Sequence, residues 1–339
     1  MTISADLMLA LLAMDSYNEG YSPGVQISST PGGTASAIGN ATVLNYPLPA
    51  GSQSAGFYAV AYAANGDGFE PNTIVISYRG TDDGMDAAND LQFIAGNLRI
   101  PPQALLAIQF YLSVKAANPS ASIILTGHSL GGALAGTVAS LFGLQAVLFN
   151  NISFENITNQ IWLKALTQQE LGPILGYDPI NGYLPTSVYS NGPIPAINES
   201  GIESLVTPGD VAGNTRVLQQ APIISVGSQS TLQNLAAVPD IAPLTALAGV
   251  FGNAGGRQIN LHWESFLVIK LFSQDNGYDT NWTPIYTPVV QALYSNDVAG
   301  AAKITAGGAP DYSTMQKMIA YSALDPGPGL HYGNMIPIA

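Results

Sequence analysis

The residues best suited to do chemistry stand together at 125–132, Leu-Thr-Gly127-His128-Ser129-Leu130-Gly131-Gly132. Gly-x-Ser-x-Gly between a strand and a helix is the context of a serine nucleophile held on a sharp turn. Such a turn takes strained backbone angles. Side chains at the two flanking positions would collide with the neighbouring strand and helix, so glycine sits there. The helix beyond the serine offers free amides and the positive end of its dipole, which favour a developing oxyanion. A serine hydroxyl is a poor nucleophile at neutral pH and needs an adjacent base. The choice of base is narrow, because the chain has 3 His and no Cys.

Periodicity predicts the elements that must position this turn. Residues 5–17 read as an amphipathic helix with Ser4 or Asp6 near its N-cap. Residues 20–56 are rich in Gly, Ser, Pro and Thr, with a short strand near 41–44. A hairpin follows: residues 56–63, the turn Asn65-Gly-Asp-Gly68, and the β-rich run 73–78. Pro101 and Pro102 open a helix to about 117. Residues 121–125 read as a strand, 130–142 as a helix and 146–149 as a strand. This order, β, α, β, α, β, argues for an α/β fold with a mainly parallel sheet covered on both faces. Residues 150–200 then look like an irregular insertion with one helix near 162–171. Strand candidates return at 203–206 and 222–226, and a helix runs from about 262 to 272. Residues from about 275 to 339 form a C-terminal extension. With no repeat and no clean linker, a single domain over 1–339 is expected.

Composition narrows the chemistry further. Charged residues make up 9% of the 339, and 22 acidic against 9 basic side chains leave a formal net charge of −13. A nucleic-acid partner needs clustered Lys and Arg, so that class is excluded. Without Cys there are no disulfides and no thiolate sites. No Gly-rich phosphate loop with a following Lys supports nucleotide chemistry. Asp82, Asp83, Asp86 and Asp90 cluster in sequence, but they read as a solvated loop with helix-capping residues rather than a calcium site. No cofactor and no metal are expected. Residues 131–149 have the length of a membrane span, but Gly143 and Gln145 divide them into a helix and a strand. The N-terminus lacks the basic region of a signal peptide. Low charge, abundant Gly and Pro and absent Cys still lean towards an extracellular protein, with a cytoplasmic one as the alternative.

The string Gly127-His-Ser-Leu-Gly-Gly132 resembles the elbow of the class 3 (fungal-type) lipases of the α/β-hydrolase superfamily. A second element of that family, a strand ending in Phe/Tyr-Arg-Gly-Thr/Ser, is similar to Tyr78-Arg79-Gly80-Thr81. The resemblance covers residues 57–150 well, is weaker over 200–272, and does not extend to the tail. It implies an α/β-hydrolase fold, and an oxyanion hole made by the amides of Thr81 and Leu130. It also implies the triad order Ser, Asp or Glu, His. Only His262 and His331 follow Ser129. His262 precedes an apolar helical run as the family's base does, and it is favoured over His331. His128, at the variable elbow position, reads as a structural hydrogen-bonding residue. The acid should follow a strand and reach the other ring nitrogen of the base. Asp210 follows a strand and a Pro-Gly turn and is favoured. Asp178 and Asp240 are alternatives, with Glu199 and Glu203 as outsiders.

The same resemblance implies a lid at about residues 84–100, with Leu91, Phe93, Ile94 and Leu98 facing the pocket when closed. A fixed amphipathic helix is the equal alternative there. The 150–200 insertion could instead form the cap, with Ile161, Trp162, Leu163, Ile174 and Leu175 lining an acyl groove. The expected activity is carboxylic ester hydrolysis of lipids, of the triacylglycerol lipase type, through an acyl-enzyme. Phospholipase A1 and short-chain esterase activities are the alternatives. A non-catalytic binding protein on the same fold is the reading from another class. The expected partner is a lipid or other acyl ester, with transient contact at a lipid interface.

Overall fold

Register, more than any single helix, sets up the fold. A computed structural model describes residues 4–17, 37–38, 40–66, 68–80, 100–167, 197–206 and 221–225. In chain order the elements are α1 (Ala5–Asp15), β1 (Ala37–Ile38), β2 (Ala41–Leu44), a 3-10 turn (Gln53–Ala55), β3 (Ala59–Gly66), β4 (Phe69–Tyr78) and α2 (Pro102–Ala117). Then come β5 (Ser122–His128), α3 (Leu130–Phe142), β6 (Gln145–Phe149), α4 (Glu155–Thr167), β7 (Ile202–Val206) and β8 (Ile223–Ser225). The strands form one sheet in sequential order. β1 to β4 pair antiparallel, and every pairing from β4 to β8 is parallel.

Because side chains alternate along a strand, each row across the sheet commits to one face. The row Ala61, Ile76, Leu125, Ala146 and Ile202 faces α2 and α3 and joins their apolar side chains in one core. The adjacent row, Val60, Ser77, Thr126, Val147 and Glu203, faces the other way. There Thr126 Oγ1 donates to Val147 O (2.9 Å) and approaches the α1 carbonyl of Leu9 (3.5 Å). So α1 covers one face, and α2 and α3 the other, with α4 packed beside α3. This is the expected α/β-hydrolase-like arrangement of helices on a largely parallel sheet.

Local signals account for most boundaries. Ser4 Oγ accepts from Leu7 N (3.1 Å) and caps α1. Pro102 opens α2, where its missing N–H costs nothing. Gly143, at φ 65°, closes α3 and separates it from β6, so residues 131–149 form a helix and a strand. Among the described residues no helix is long and apolar enough to cross a membrane.

Two expectations need correction. α1 is not amphipathic: every residue from Leu7 to Asp15 is buried, because apolar side chains occupy nearly all of its circumference. α4 begins well before residue 162. Glu155 Oε2 accepts from Ser153 Oγ (2.6 Å) and from Phe154 N (3.1 Å), and this local cap starts the helix inside the supposed irregular insertion.

Candidate active site

One residue, Ser129, separates β5 from α3. Its backbone lies at φ 57° and ψ −123°, a conformation that a side chain rarely adopts and that costs about 1–3 kcal/mol. The surrounding backbone holds it there. Ser129 N donates to Phe149 O at the end of β6 (3.0 Å), while Ser129 O accepts from Ala133 N (3.1 Å) and Ile152 N (3.3 Å). The turn is so tight that neither flanking position admits a side chain. A Cβ at Gly127 would overlap the Gly131 carbonyl, and one at Gly131 would overlap Tyr78 O. In both cases the added carbon would meet backbone atoms, which cannot yield cheaply. Leu130 is the first residue of α3, so its amide is one of the helix-opening donors without an intrahelical acceptor.

β4 brings the second motif alongside. Tyr78 pairs with Gly127, so the chain leaving β4 runs past the elbow. A Cβ on Gly131 would lie 2.9 Å from Gly80 N, which shows how closely the two segments pass. Arg79 is buried, donates its amide to Tyr58 O (3.0 Å), and stacks its guanidinium 5.1 Å above the Tyr58 ring. The Tyr78 hydroxyl donates to Ala107 O (3.1 Å) beneath α2. Burial, and secondarily the nearby Tyr111, push its pKa well above the ordinary phenol value, so it stays neutral.

His128 is fully buried and points away from the α2–α3 core towards Tyr17, just after α1. Its Nδ1 shares a hydrogen bond with the Tyr17 hydroxyl (3.0 Å), and the rings meet edge-on at 6.0 Å. That is the structural hydrogen-bonding role read from the motif. Tyr17 itself went unnoticed in the sequence. It lies 111 residues from His128, and no local pattern links the two.

Of the expected site residues, the structure places Ser129 and Leu130 together at the elbow. Thr81, Asp210 and His262 lie outside the described residues, as do His331, Asp178, Asp240, the aspartates at 82, 83, 86 and 90, and the lid segment 84–99. Within the insertion, Ile161 is buried in the core rather than lining a groove. Glu199 and Glu203 are described, and neither sits near the carboxyl edge where Ser129 stands. Glu199 precedes β7, at the opposite end of the parallel strands, and its Oε2 accepts from Ala221 N (2.8 Å). Glu203 lies in the row that faces α1. Its carboxyl is held above the usual range, first by burial and then by the charge of Asp6.

Residues 9–178 match the phospholipase-like family described as the Tle-like phospholipase domain. The matched stretch contains Tyr17, the Arg79-Gly80-Thr81 element and the elbow, whereas Asp210 and His262 follow it. No curated protein matches the chain. A solved structure titled "Crystal structure of M37 lipase" is similar at 13% identity, over 89% of this chain and 100% of that one, with a TM-score of 0.34. That likeness is too distant to bear on function. The motifs that resemble class 3 lipases lie inside the family match, and what the two share is the coarser character of a lipase- or phospholipase-like hydrolase of lipid esters. With half of its length matched, the chain belongs to the phospholipase-like family, in the Tle-like phospholipase domain.

Proposed function

We propose that the protein hydrolyses carboxylic esters of phospholipids, with Ser129 as nucleophile, His262 as base and Asp210 as the acid that orients it. The observation that carries this reading is the backbone of Ser129, strained between a parallel strand and a helix N-terminus. A fold maintains such strain where a side chain must be presented in one geometry. The family description favours a phospholipid over a triacylglycerol or a short-chain ester.

In this mechanism Ser129 Oγ attacks the acyl carbon while His262 accepts its proton. The amides of Leu130 and Thr81 stabilise the oxyanion of the tetrahedral intermediate. Collapse transfers the proton from His262 to the departing alcohol and leaves an acyl-enzyme. Water then repeats the sequence and releases the fatty acid. Chain continuity supports two of these assignments. Thr81 directly follows Gly80, whose amide passes close to Gly131. Asp210 lies four residues past Val206, where β7 ends on the same edge as Ser129. Four residues reach at most about 14 Å. β7 is two strands from β5, roughly 10 Å. For His262 the support is its place in the sequence, before an apolar helical run.

The test compares wild type with Ser129→Ala on phosphatidylcholine vesicles, triacylglycerol emulsions and p-nitrophenyl butyrate. Fatty acid release from the vesicles, lost in a folded Ser129→Ala, is the expected result. Preference for emulsion or for the soluble ester would replace phospholipase with lipase or esterase. A wild type inactive on all three would favour a binding protein.

A further inference from the structure

Tyr17 lies outside the reacting residues, yet its hydroxyl touches both described segments that lead into the site. It bonds His128 Nδ1 (3.0 Å) and approaches His128 O (3.4 Å), both on the residue before Ser129. It also rests against Gly80. A Cβ there would overlap the Tyr17 hydroxyl and lie 2.5 Å from His128 O. One phenol oxygen therefore touches both Gly80, just past β4, and His128, at the end of β5, where these two segments already meet. Tyr17 is nearly fully buried, and it is fixed by α1, which packs chiefly on β5.

We propose that Tyr17 is a positioning residue that sets the separation between the two arms of the oxyanion hole. This rests on the assignment of the Thr81 and Leu130 amides made above. Each arm starts one residue from a group that Tyr17 touches: Thr81 follows Gly80, and Ser129-Leu130 follows His128. Both contacts are to backbone or to a buried ring, so the spacing is held by packing as well as by the hydrogen bond. Without the hydroxyl, β4 and β5 still pair through Tyr78 and Gly127. The residues beyond that last pair, however, lose the one hydroxyl that touches both Gly80 and the His128 ring. An oxyanion site works by donors fixed in advance, so a small change of spacing costs rate and spares ground-state binding. Removing a donor outright costs about 10²–10³ in kcat, so a displaced donor should cost about tenfold.

The full chain carrying Tyr17→Phe, which keeps the ring and removes one atom, is the test. Soluble ester kinetics give kcat and KM. Inhibition by an alkyl boronic acid, which forms a tetrahedral adduct on an activated serine, is set against inhibition by the product fatty acid. The expected result is kcat about tenfold lower with KM within about twofold, and boronate affinity reduced in proportion to kcat while fatty acid affinity holds. His128→Asn, which removes the ring that Tyr17 bonds, probes the pair from the other side and should show the same split, including if Tyr17→Phe fails to fold. Unchanged kcat and boronate affinity with only a lower unfolding midpoint would overturn the proposal. So would an equal loss of boronate and fatty acid binding. Ser129→Ala is run in parallel. If it retains hydrolysis, the site itself has been misassigned and the proposal falls with it. If it is dead while Tyr17→Phe is normal, only the positioning role falls.

Discussion

Replacing Ser129 by glycine should make the protein more stable than replacing it by alanine, the reverse of the usual order. Both changes delete the hydroxyl, so any bond made by Oγ cancels between them. What differs is the Cβ, which Ala keeps and Gly loses, at a residue with φ 57° and ψ −123°. Relief of that conformation is worth about 1–3 kcal/mol. Against it stands the extra chain entropy of glycine in the unfolded state, about 0.5–1 kcal/mol. The balance favours Ser129→Gly over Ser129→Ala by about 1 kcal/mol, with bounds of roughly 0 and 2.5. Urea unfolding followed by circular dichroism resolves this. With a slope of about 3 kcal/mol/M, the midpoint rises by about 0.3 M. Both variants should be inactive on esters. If Ser129→Gly is instead less stable than Ser129→Ala by the ordinary glycine penalty, the elbow is not strained. The reasoning that links its backbone to catalysis then fails.

Gly131→Ala should lose hydrolysis and about 1–3 kcal/mol in urea unfolding, because the new methyl meets the backbone of Tyr78 and Gly80 with no flexible side chain to give way. Asp210→Asn should lower kcat by about 10³–10⁴ with little change in unfolding midpoint; a normal kcat would return the role to Asp178 or Asp240. Glu203→Gln should stabilise the protein at neutral pH. Burial and Asp6 raise the folded pKa of Glu203 above its ordinary 4.5, so between the two values the native state binds more protons than the unfolded chain. Stability from this group is full below 4.5 and is lost as pH rises through the folded value. Unfolding midpoints of Glu203→Gln and wild type should therefore coincide near about pH 3.5 and separate towards pH 7.

How much of this was readable in the sequence follows from how far apart the interacting residues lie. The elbow was legible because one short string encodes it: a strand, two glycines forced by backbone overlap, and a helix of small residues. The strands at 41–44, 203–206 and 222–226 and the helices at 102–117 and 130–142 also emerged close to their observed bounds, since each has its own local pattern. α1 was placed correctly but misjudged as half-exposed, because burial on every side depends on what packs around it. The start of α4 was missed because its cap is made by Glu155 reaching back to Ser153 and Phe154, not by a residue at the usual capping position. Tyr17 was invisible for the plainest reason: its partners, Gly80 and His128, come from distant parts of the chain.

The scarcity of charge turns this partial legibility into a restriction on the acid. Seven carboxylates lie between Ser129 and His262: Glu155, Glu170, Asp178, Glu199, Glu203, Asp210 and Asp240. Three of them already have other work in the fold. Glu155 caps α4, Glu199 holds the amide of Ala221 at the far end of the sheet, and Glu203 lies under α1. Of the other four, Asp210 alone follows closely on the carboxyl end of a described parallel strand. Ligands of open α/β sheets bind outside those ends, because there the loops leave the sheet and are free to carry functional groups. Topology therefore favours Asp210: β7 runs parallel to β5 and ends on the same edge, and the four residues from Val206 to Asp210 span enough distance to bring a carboxylate towards the serine.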